Sequence, residues 1–384
     1  MKRKLAIIGK GTAGILSVNH FNFYCKDDFE IECYYDSSKP EQTVGEGTTV
    51  DIPQMLRTTQ GLEFNDIFNL TNGNFKTGIH YIGWGDKDYH HTFPMPNASI
   101  HFNAVMLQDL LKERNEKDVK FIDKNVTHDD IDADFIIDCS GKPTDKTKLE
   151  TAEYIPVNTA LVKKCYWDYP QYTHTLCIAA QYGWIFGIPV QDRISFGYIH
   201  NTDFVKKKKI EQELLEVIDS YNLTPEPEEN YIEFGNYYRK ENFTERVMYN
   251  GNASFFLEPM EATSIGTIDT INRFAYDAMF GLNTIENVNA KYKSWFKQCQ
   301  DVITMHYLAG SQKFDNDFWQ YAKRLATNCY NDKSQMLVDI LNAHDKEGFN
   351  TIHDYGTWTM ESFNQNINGL GLNKDMLRID DEPF

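Results

Sequence analysis

Leu5-Ala6-Ile7-Ile8 is a short, unbroken apolar run that stops at a glycine, the pattern of a strand buried on both faces. Gly9-Lys10-Gly11-Thr12-Ala13-Gly14 then opens a helix predicted to reach about Phe23, and a second strand, Ile31 to Tyr35, ends at Asp36. Residues 101–118 read as helix, and Val119 to Ile122 and Phe135 to Ile137 as strands. The latter runs into Asp138-Cys139-Ser140-Gly141, a strand-to-turn junction of the kind found at the carboxyl edge of a sheet. Between 152 and 236 the chain turns strand-rich, with alternating aromatic positions. Its sharpest stretch is Gly183-Trp184-Ile185-Phe186-Gly187-Ile188-Pro189, where alternation puts the rings of Trp184 and Phe186 on one face of a strand. A β-rich stretch from Ile194 to Ile199 follows. Arg246 to Asn250 returns as a strand and breaks at Gly251-Asn252-Ala253. From about Thr267 to Tyr330 the pattern is helical, with Ile271, Phe274, Ala275, Ala278 and Met279 as an apolar face.

The opening β-α-β unit carries a Gly-x-Gly-x-x-Gly fingerprint with an acid, Asp36, 22 positions after the third glycine. Such glycines permit a tight turn and close approach of a pyrophosphate to the helix N-terminus, and Asp36 would accept from a ribose hydroxyl. Strand before, helix after and acid at the next strand end together predict dinucleotide binding.

The remaining composition narrows the partners. A formal charge of −18 over 384 residues argues against nucleic acid or an anionic membrane as the main partner. The seven cysteines are scattered without a Cys-x-x-Cys spacing, which predicts free thiols in a reducing compartment and no zinc site. The basic start, Lys2-Arg3-Lys4, precedes an apolar run too short for a signal peptide, and no segment approaches the roughly 20 apolar residues of a membrane span. Cytoplasmic residence is expected. His90 and His91 lack further ligands at metal spacing, so no metal is expected. Homo-oligomerisation stays open.

With the fingerprint, Asp138 to Gly141, the Gly183 to Pro189 stretch with Gln191-Asp192-Arg193 after it, and Phe256-Leu257-Glu258-Pro259-Met260-Glu261-Ala262-Thr263-Ser264-Ile265 in this order, the chain resembles the flavin-dependent halogenases of the tryptophan halogenase family almost end to end. Val44-Gly45-Glu46-Gly47-Thr48 is similar to the family's flavin-contacting loop, and Asn74-Phe75-Lys76 to the segment holding its essential lysine. His306-Tyr307 and Asp317-Phe318-Trp319 resemble its helical tail. The resemblance implies an α/β fold: a Rossmann-like FAD-binding domain of the flavin monooxygenase type, an inserted β-sheet substrate domain and a helical C-terminal region. The expected parts are 1–50, 98–150 and 240–285 for the discontinuous FAD domain, 51–97 and 151–239 for the substrate domain, and 286–384 for the helical region.

The same resemblance implies the site. FAD would touch Gly9, Gly11, Thr12, Ala13, Gly14, Asp36, Gly45, Glu46, Gly251, Asn252 and Ile265. Reduced FAD and oxygen would convert a halide to hypohalous acid, with the halide held by the backbone N–H groups of Thr263 and Ser264 at a helix N-terminus. Trp184, Phe186 and Pro189 would form a barrier between flavin and arene. Lys76 would take up the hypohalous acid, as a hydrogen-bonding ammonium or as a haloamine, and Glu261 would assist as base. His91 and Phe93 would sandwich a small aromatic substrate. In the absence of a second fingerprint for NAD(P)H, reduced flavin is expected from a separate reductase.

Three departures from the family pattern bear on specificity. Phe186 stands where the pattern has a second tryptophan, Ser264 where glycine is usual, and the tryptophan enzymes' long insertion near His91 is absent. The expected substrate is therefore an electron-rich arene other than free tryptophan. Two rivals stay open: a flavin-dependent aromatic hydroxylase, which usually shows Gly-Asp where this chain has Gly251-Asn252, and a non-catalytic flavin-binding protein.

Overall fold

A computed structural model describes residues 2–40, 46–93, 98–331, 358 and 360–372. The chain forms two compact units, the first from Met1–Gly73, Phe102–Thr151 and Tyr237–Phe296, the second from Asn74–His101, Ala152–Asn236 and Lys297–Phe384. The expected parts divide differently: 51–73 falls in the first unit, and the expected helical region is split, 286–296 in the first unit and 297–384 in the second.

The first unit is built on β1 (Arg3–Ile8), β2 (Phe29–Tyr35), β7 (Lys120–Asp123), β8 (Phe135–Asp138) and β16 (Val247–Tyr249), all parallel in the order β16-β8-β1-β2-β7. The Leu5–Ile8 run is buried, as a parallel strand with both faces covered must be. α1 (Thr12–Cys25) packs against both α4 (Ala104–Asn115) and α6 (Thr263–Met279), which is why Ser17, Asn19, His20 and Asn22 are buried along with its apolar residues. α2 (Asp51–Gln60) and α3 (Phe64–Thr71) follow the second strand, and Gly61 and Asn72 end them in the left-handed region. A small antiparallel sheet of β9 (Leu149–Thr151), β15 (Tyr237–Arg239) and β17 (Phe255–Phe256) completes the unit with the first half of α7 (Ile285–Ala309). The helix expected over 101–118 begins at Ala104, because Asn103 caps it through Val105 N and Met106 N while His101 is still strand.

The second unit holds a seven-stranded sheet made of β4 (Gly78–Ile82), β5 (Tyr89–Thr92), β10 (Thr159–Tyr166), β11 (Thr175–Ala180), β12 (Gly183–Pro189), β13 (Arg193–His200) and β14 (Asn230–Glu233). Their order across the sheet is β14-β10-β13-β12-β11-β4-β5. β3 (Asn74–Lys76) and β6 (Ser99–His101) form a separate antiparallel pair. α5 (Lys207–Ser220) covers one face of the large sheet, with Ile210, Leu214 and Ile218 packed on Leu161, Ile185, Phe196 and Tyr198. This helix lies inside the stretch read as strand-rich; its apolar positions four apart are helical spacing, outweighed in the sequence by the alternation of the flanking strands. α8 (Asp317–Asn331) and α9 (Met360–Leu370) finish the unit.

Candidate active site

In the first unit the carboxyl ends of β1, β2, β8 and β16 lie along one edge of the parallel sheet, followed by Gly9, Asp36, Cys139 and Gly251. Three glycines there do three jobs. Gly9 turns at φ +98°, and a Cβ on it would lie 2.6 Å from the Cys139 carbonyl oxygen. A Cβ on Gly14 would overlap the Gly9 carbonyl oxygen, so the helix approaches the turn only without one. A Cβ on Gly11 would meet nothing within 4 Å, leaving a backbone cradle open at the N-terminus of α1. Thr12 and Ala13 form the first turn of that helix, and Thr12 Oγ1 accepts from Gln108 Nε2 at 3.1 Å. Gly251, at φ +55°, sits so close to Ala13 that a Cβ would overlap the Ala13 methyl. Asn252 follows it, and its carbonyl accepts from Tyr237 Oη at 2.7 Å.

Asp36 follows β2 at the surface, where hydrogen bonds from the Ser38 hydroxyl at 2.6 Å and amide at 3.0 Å hold its carboxyl below the ordinary range. It is an ionised acceptor at neutral pH. Burial alone would raise the Asp138 carboxyl, but bonds from His128 Nε2 at 2.7 Å and the Ser140 amide at 2.9 Å keep it low. Gly45 lies outside the described residues. Glu46 is buried and its carbonyl accepts from Phe102 N at 3.0 Å. A few residues on, Thr49 packs against α6, its Cγ2 2.7 Å from where a Gly266 Cβ would be. The loop from Glu46 and the start of α6 therefore belong together, with Ile265 buried in the first turn.

The segment before α6 is strained. Glu261 at φ +60° and Ala262 at φ +55° are consecutive non-glycine residues in the left-handed region, a conformation that costs roughly 1–2 kcal/mol per residue. It turns the chain sharply, so that Thr263 and Ser264 begin a 17-residue helix with their amides at its positive end. Glu258 and Glu261 are both buried here.

In the second unit, Lys76 ends β3 and is only 2% exposed, opposite Ser99 of β6. Its Nζ lies 5.4 Å from the centroid of the Phe93 ring, and Phe93 meets His91 edge to face at 5.1 Å. Lysine and proposed substrate pair thus form one continuous group. The adjoining residue is His101. Its Nδ1 bonds the Phe75 carbonyl at 3.1 Å and its Nε2 the Thr175 hydroxyl at 2.8 Å. Burial, followed by the charge of Lys76, pushes this imidazole well below its ordinary value.

Trp184 and Phe186 share a face of β12, their rings 6.3 Å apart at 61°, while Ile185 points into the α5 core. Phe186 stands opposite Gly197 of β13, and a Cβ there would overlap its ring, so the glycine makes the slot the ring occupies. Pro189 ends the strand, buried. Register places His91 on that same sheet face, through Ile79 opposite it and Tyr81 opposite Cys177, the partner of Phe186. α9 secures β5: Gln365 Oε1 accepts from Thr92 N at 2.7 Å, and Asn366 Oδ1 from Tyr89 Oη at 2.9 Å. His306 stacks on Tyr81 at 4.7 Å, and Trp319 Nε1 donates to the Ala180 carbonyl at 3.0 Å.

Several supporting residues escape sequence reasoning. Asn250 Nδ2 donates to Asn272 Oδ1 at 2.8 Å and to the Ile268 carbonyl at 3.0 Å, while Ser17 Oγ donates to Asn272 Oδ1 at 2.9 Å. This buried network ties α1 and α6 to the turn that presents Gly251. Polar residues inside an apolar helical pattern, such as Ser17 and Asn272, were the available signal. Gly197, Gly266 and His101 gave none without a partner in space. Among the described residues no group of three or more His, Cys, Asp or Glu side chains is arranged to hold a metal, and no helix is long and apolar enough to cross a membrane.

The glycine cradle, the ionised acid after β2 and the turn at Gly251 fit a dinucleotide, and FAD-dependent chemistry is what the chain's relatives imply. The family model for tryptophan halogenase matches residues 4–128 and 111–378. Tryptophan 7-halogenase RebH of Lentzea aerocolonigenes is 20% identical over 84% of this chain and 79% of that protein. Tryptophan 6-halogenase SttH of Streptomyces toxytricini is 25% identical over 59% of this chain, which spans about half of that protein's length (49%). Among solved structures, the flavin-dependent halogenase BrvH from Brevundimonas sp. BAL3 superposes with a TM-score of 0.80 at 19% identity, over 97% of this chain and 91% of the other. At that identity the superposition establishes the fold alone. The extent of the family match establishes more: this chain belongs to the tryptophan halogenase family, flavin-dependent oxidoreductases with a Rossmann-like FAD-binding fold.

Proposed function

We propose that this chain halogenates an electron-rich arene other than free tryptophan, using reduced FAD delivered by a separate flavin reductase, oxygen and a halide. The observation that carries this reading is the burial of Lys76 with its Nζ over Phe93, on the unit that also presents the Trp184–Phe186 pair. Most lysines are solvated; one held almost entirely out of water, beside aromatic rings, has a task.

FAD would be held by Gly9, Gly11, Thr12, Ala13, Gly14, Asp36, Gly45, Glu46, Gly251, Asn252 and Ile265. When bound and reduced, it supplies the two electrons that turn oxygen and halide into an electrophilic hypohalous acid. Thr263 and Ser264 hold the halide with backbone amides at the start of α6, an anion site without a strong cationic trap. Trp184, Phe186 and Pro189 make a wall that passes a small oxidant and stops an arene. Lys76 receives the hypohalous acid; its ammonium hydrogen-bonds the oxygen and sharpens the halogen's electrophilicity, or its free amine is halogenated with loss of water. His91 and Phe93 orient the arene. Glu261 takes the proton lost from the ring carbon. Its buried carboxylate sits on a strained turn, where such groups are often functional.

The test is a panel of indoles, phenols and pyrroles incubated with reduced FAD, oxygen and chloride, bromide or iodide, with products read by mass spectrometry. Halogenated arene is expected, and Lys76→Ala and Glu261→Gln should each lower the yield by at least about 100-fold while FAD affinity stays within about twofold. Products that gain oxygen without halogen would establish the hydroxylase instead. Rapid NADPH oxidation by the purified protein alone would remove the separate reductase.

A further inference from the structure

We propose that His101 is the positioning residue that sets Lys76 in register with the aromatic wall of β12, a role that rests on Lys76 being the halogen-transferring group. The imidazole has no exposed surface, and both of its nitrogens are engaged. A carbonyl only accepts, so the Phe75 bond puts the proton on Nδ1, and Nε2 must then accept from the Thr175 hydroxyl. One ring therefore spans two sheets. On one side it fixes the peptide immediately before Lys76, in the two-stranded pair. On the other it fixes the first residue of β11, two positions before Cys177, whose partner across the ladder is Phe186.

Among the described residues no backbone ladder joins the β3–β6 pair to the large sheet. The imidazole shares the join with bonds from Asn74 and Thr77 to the loop before β11, among them Asn74 Nδ2 to the Tyr172 carbonyl at 2.8 Å, and Thr77 N and Oγ1 to the Thr173 carbonyl at 2.6 and 3.0 Å. Those bonds bracket Lys76 along the strand; His101 ties the peptide on its amide side to the strand next to the wall. Charge supports the same role. Burial and the Lys76 charge hold the ring neutral, so it neither competes with the lysine for an anion nor supplies a proton. A second cation beside the buried ammonium would drive the lysine away.

The substitutions separate the two ends of the clamp. In His101→Asn the side-chain amide falls where Nδ1 was and keeps the Phe75 bond; His101→Gln reaches Thr175 instead; His101→Leu loses both. Reductive methylation of the whole chain, followed by peptide mass spectrometry, reads how tightly Lys76 is held and needs no substrate. Lys76 should be methylated at least about fivefold faster in all three variants than in the parent, since each breaks at least one end of the clamp. Lys163, buried in the same unit and paired with Glu229 at 3.2 Å, is the internal control and should not change. A rise at both lysines would mean general loosening and would overturn the proposal, as would parental protection of Lys76 in these variants. Should those variants not fold, Thr175→Val, nearly isosteric, carries the same comparison: faster methylation of Lys76 alone supports the clamp, and parental protection overturns it. With bromide and an arene halogenated in the substrate panel, the Leu and Gln variants should lose roughly 10- to 100-fold in kcat at little change in KM, the cost expected for about 1 Å of misplacement. Lys76→Ala, run alongside, separates the failures: full activity there removes the lysine's role, whereas loss there beside parental kcat in His101→Leu removes only the histidine's.

Discussion

Gly9, Gly11, Gly14 and Gly251 in the first unit and Lys76, Trp184 and Phe186 in the second do their work with different parts of the chain. The first unit shapes its proposed ligand edge from backbone: a turn at positive φ, an open cradle at a helix N-terminus, amides at the start of α6. Those features need particular residues at particular spacings, because only glycine tolerates the close approaches. The second unit works with side chains on strands, where the residue matters less than the face on which register puts it. A one-residue slip in β12 would exchange Trp184 and Phe186 for Ile185 without altering a letter of the sequence. Substitutions that separate backbone shape from side-chain placement test this contrast.

The largest effect should come from Gly14→Ala. The added methyl would enter the Gly9 carbonyl, backbone against backbone, with no side chain free to swing aside. A loss of about 3 kcal/mol or more in unfolding free energy is expected, enough to prevent purification of a folded protein. Gly11→Ala is the partner experiment. Its methyl meets only open space, so thermal stability should stay within about 0.5 kcal/mol while FAD affinity, read by fluorescence titration, falls about tenfold as the methyl occupies the pyrophosphate's place. Equal stability losses in the two variants would erase the distinction between packing glycine and ligand glycine.

Acidification should also tell the units apart. His174 and His200 in the second unit are both lowered to about 4, by burial first and, for His174, then by the neighbouring His80 and His90. An unfolded imidazole protonates near pH 6.5, so between about 6.5 and 4 the unfolded state binds more protons than the folded one. Stability is complete above that window and falls as pH drops through it; for fully buried His200 the loss approaches about 3 kcal/mol at pH 4. In the first unit Asp138 and Asp269 are lowered acids: burial raises each, and hydrogen bonds and charges from His128 and Ser140, and from His20 and Arg273, more than offset it. Their contribution persists above the unfolded carboxyl range and is lost only as pH falls below it. Hydrogen exchange at pH 5 should therefore show β10–β13 opening before β1, β2 and β8. The reverse order would contradict these assignments.

Gly197→Ala probes the wall. The methyl would occupy the slot of the Phe186 ring, and overpacking there should cost about 1–3 kcal/mol and lower halogenated product, with FAD affinity unchanged. Phe186→Ala should rescue the stability of the double variant, because ring and methyl compete for one space; additive losses would show that the ring does not lie over the glycine.

What the sequence made legible follows the same division. The fingerprint, Asp36 and the Asp138–Gly141 junction could be read because local geometry dictates residue type, and the structure puts them at one sheet edge. The Trp184–Phe186 pair could be read because alternation is local too. Gly197, His101 and Gly266 could not, since each matters through a partner far along the chain: Phe186, Phe75 with Thr175, and Thr49. The start of α4 shifted to Ala104 because an asparagine cap, which the apolar pattern does not weigh, decides where that helix begins. α5 was hidden by the strands around it.

The smallest expected effect lies where the two kinds of design meet. Glu261, the proposed base, keeps its carboxylate in this design, but Ala262 beside it brings only a methyl to a left-handed position that disfavours one. Replacing it with glycine removes roughly 1–2 kcal/mol of strain and returns about 0.4–1 kcal/mol of unfolded-state freedom. A net gain of up to about 1.6 kcal/mol is expected in denaturant unfolding with unchanged slope. If Thr263 and Ser264 hold halide through backbone shape alone, bromide dependence of the rate should survive the change, since glycine reaches the same φ. A variant that gains stability but needs much more bromide would show that the alanine is retained to keep the turn rigid, and that strain here serves the anion site.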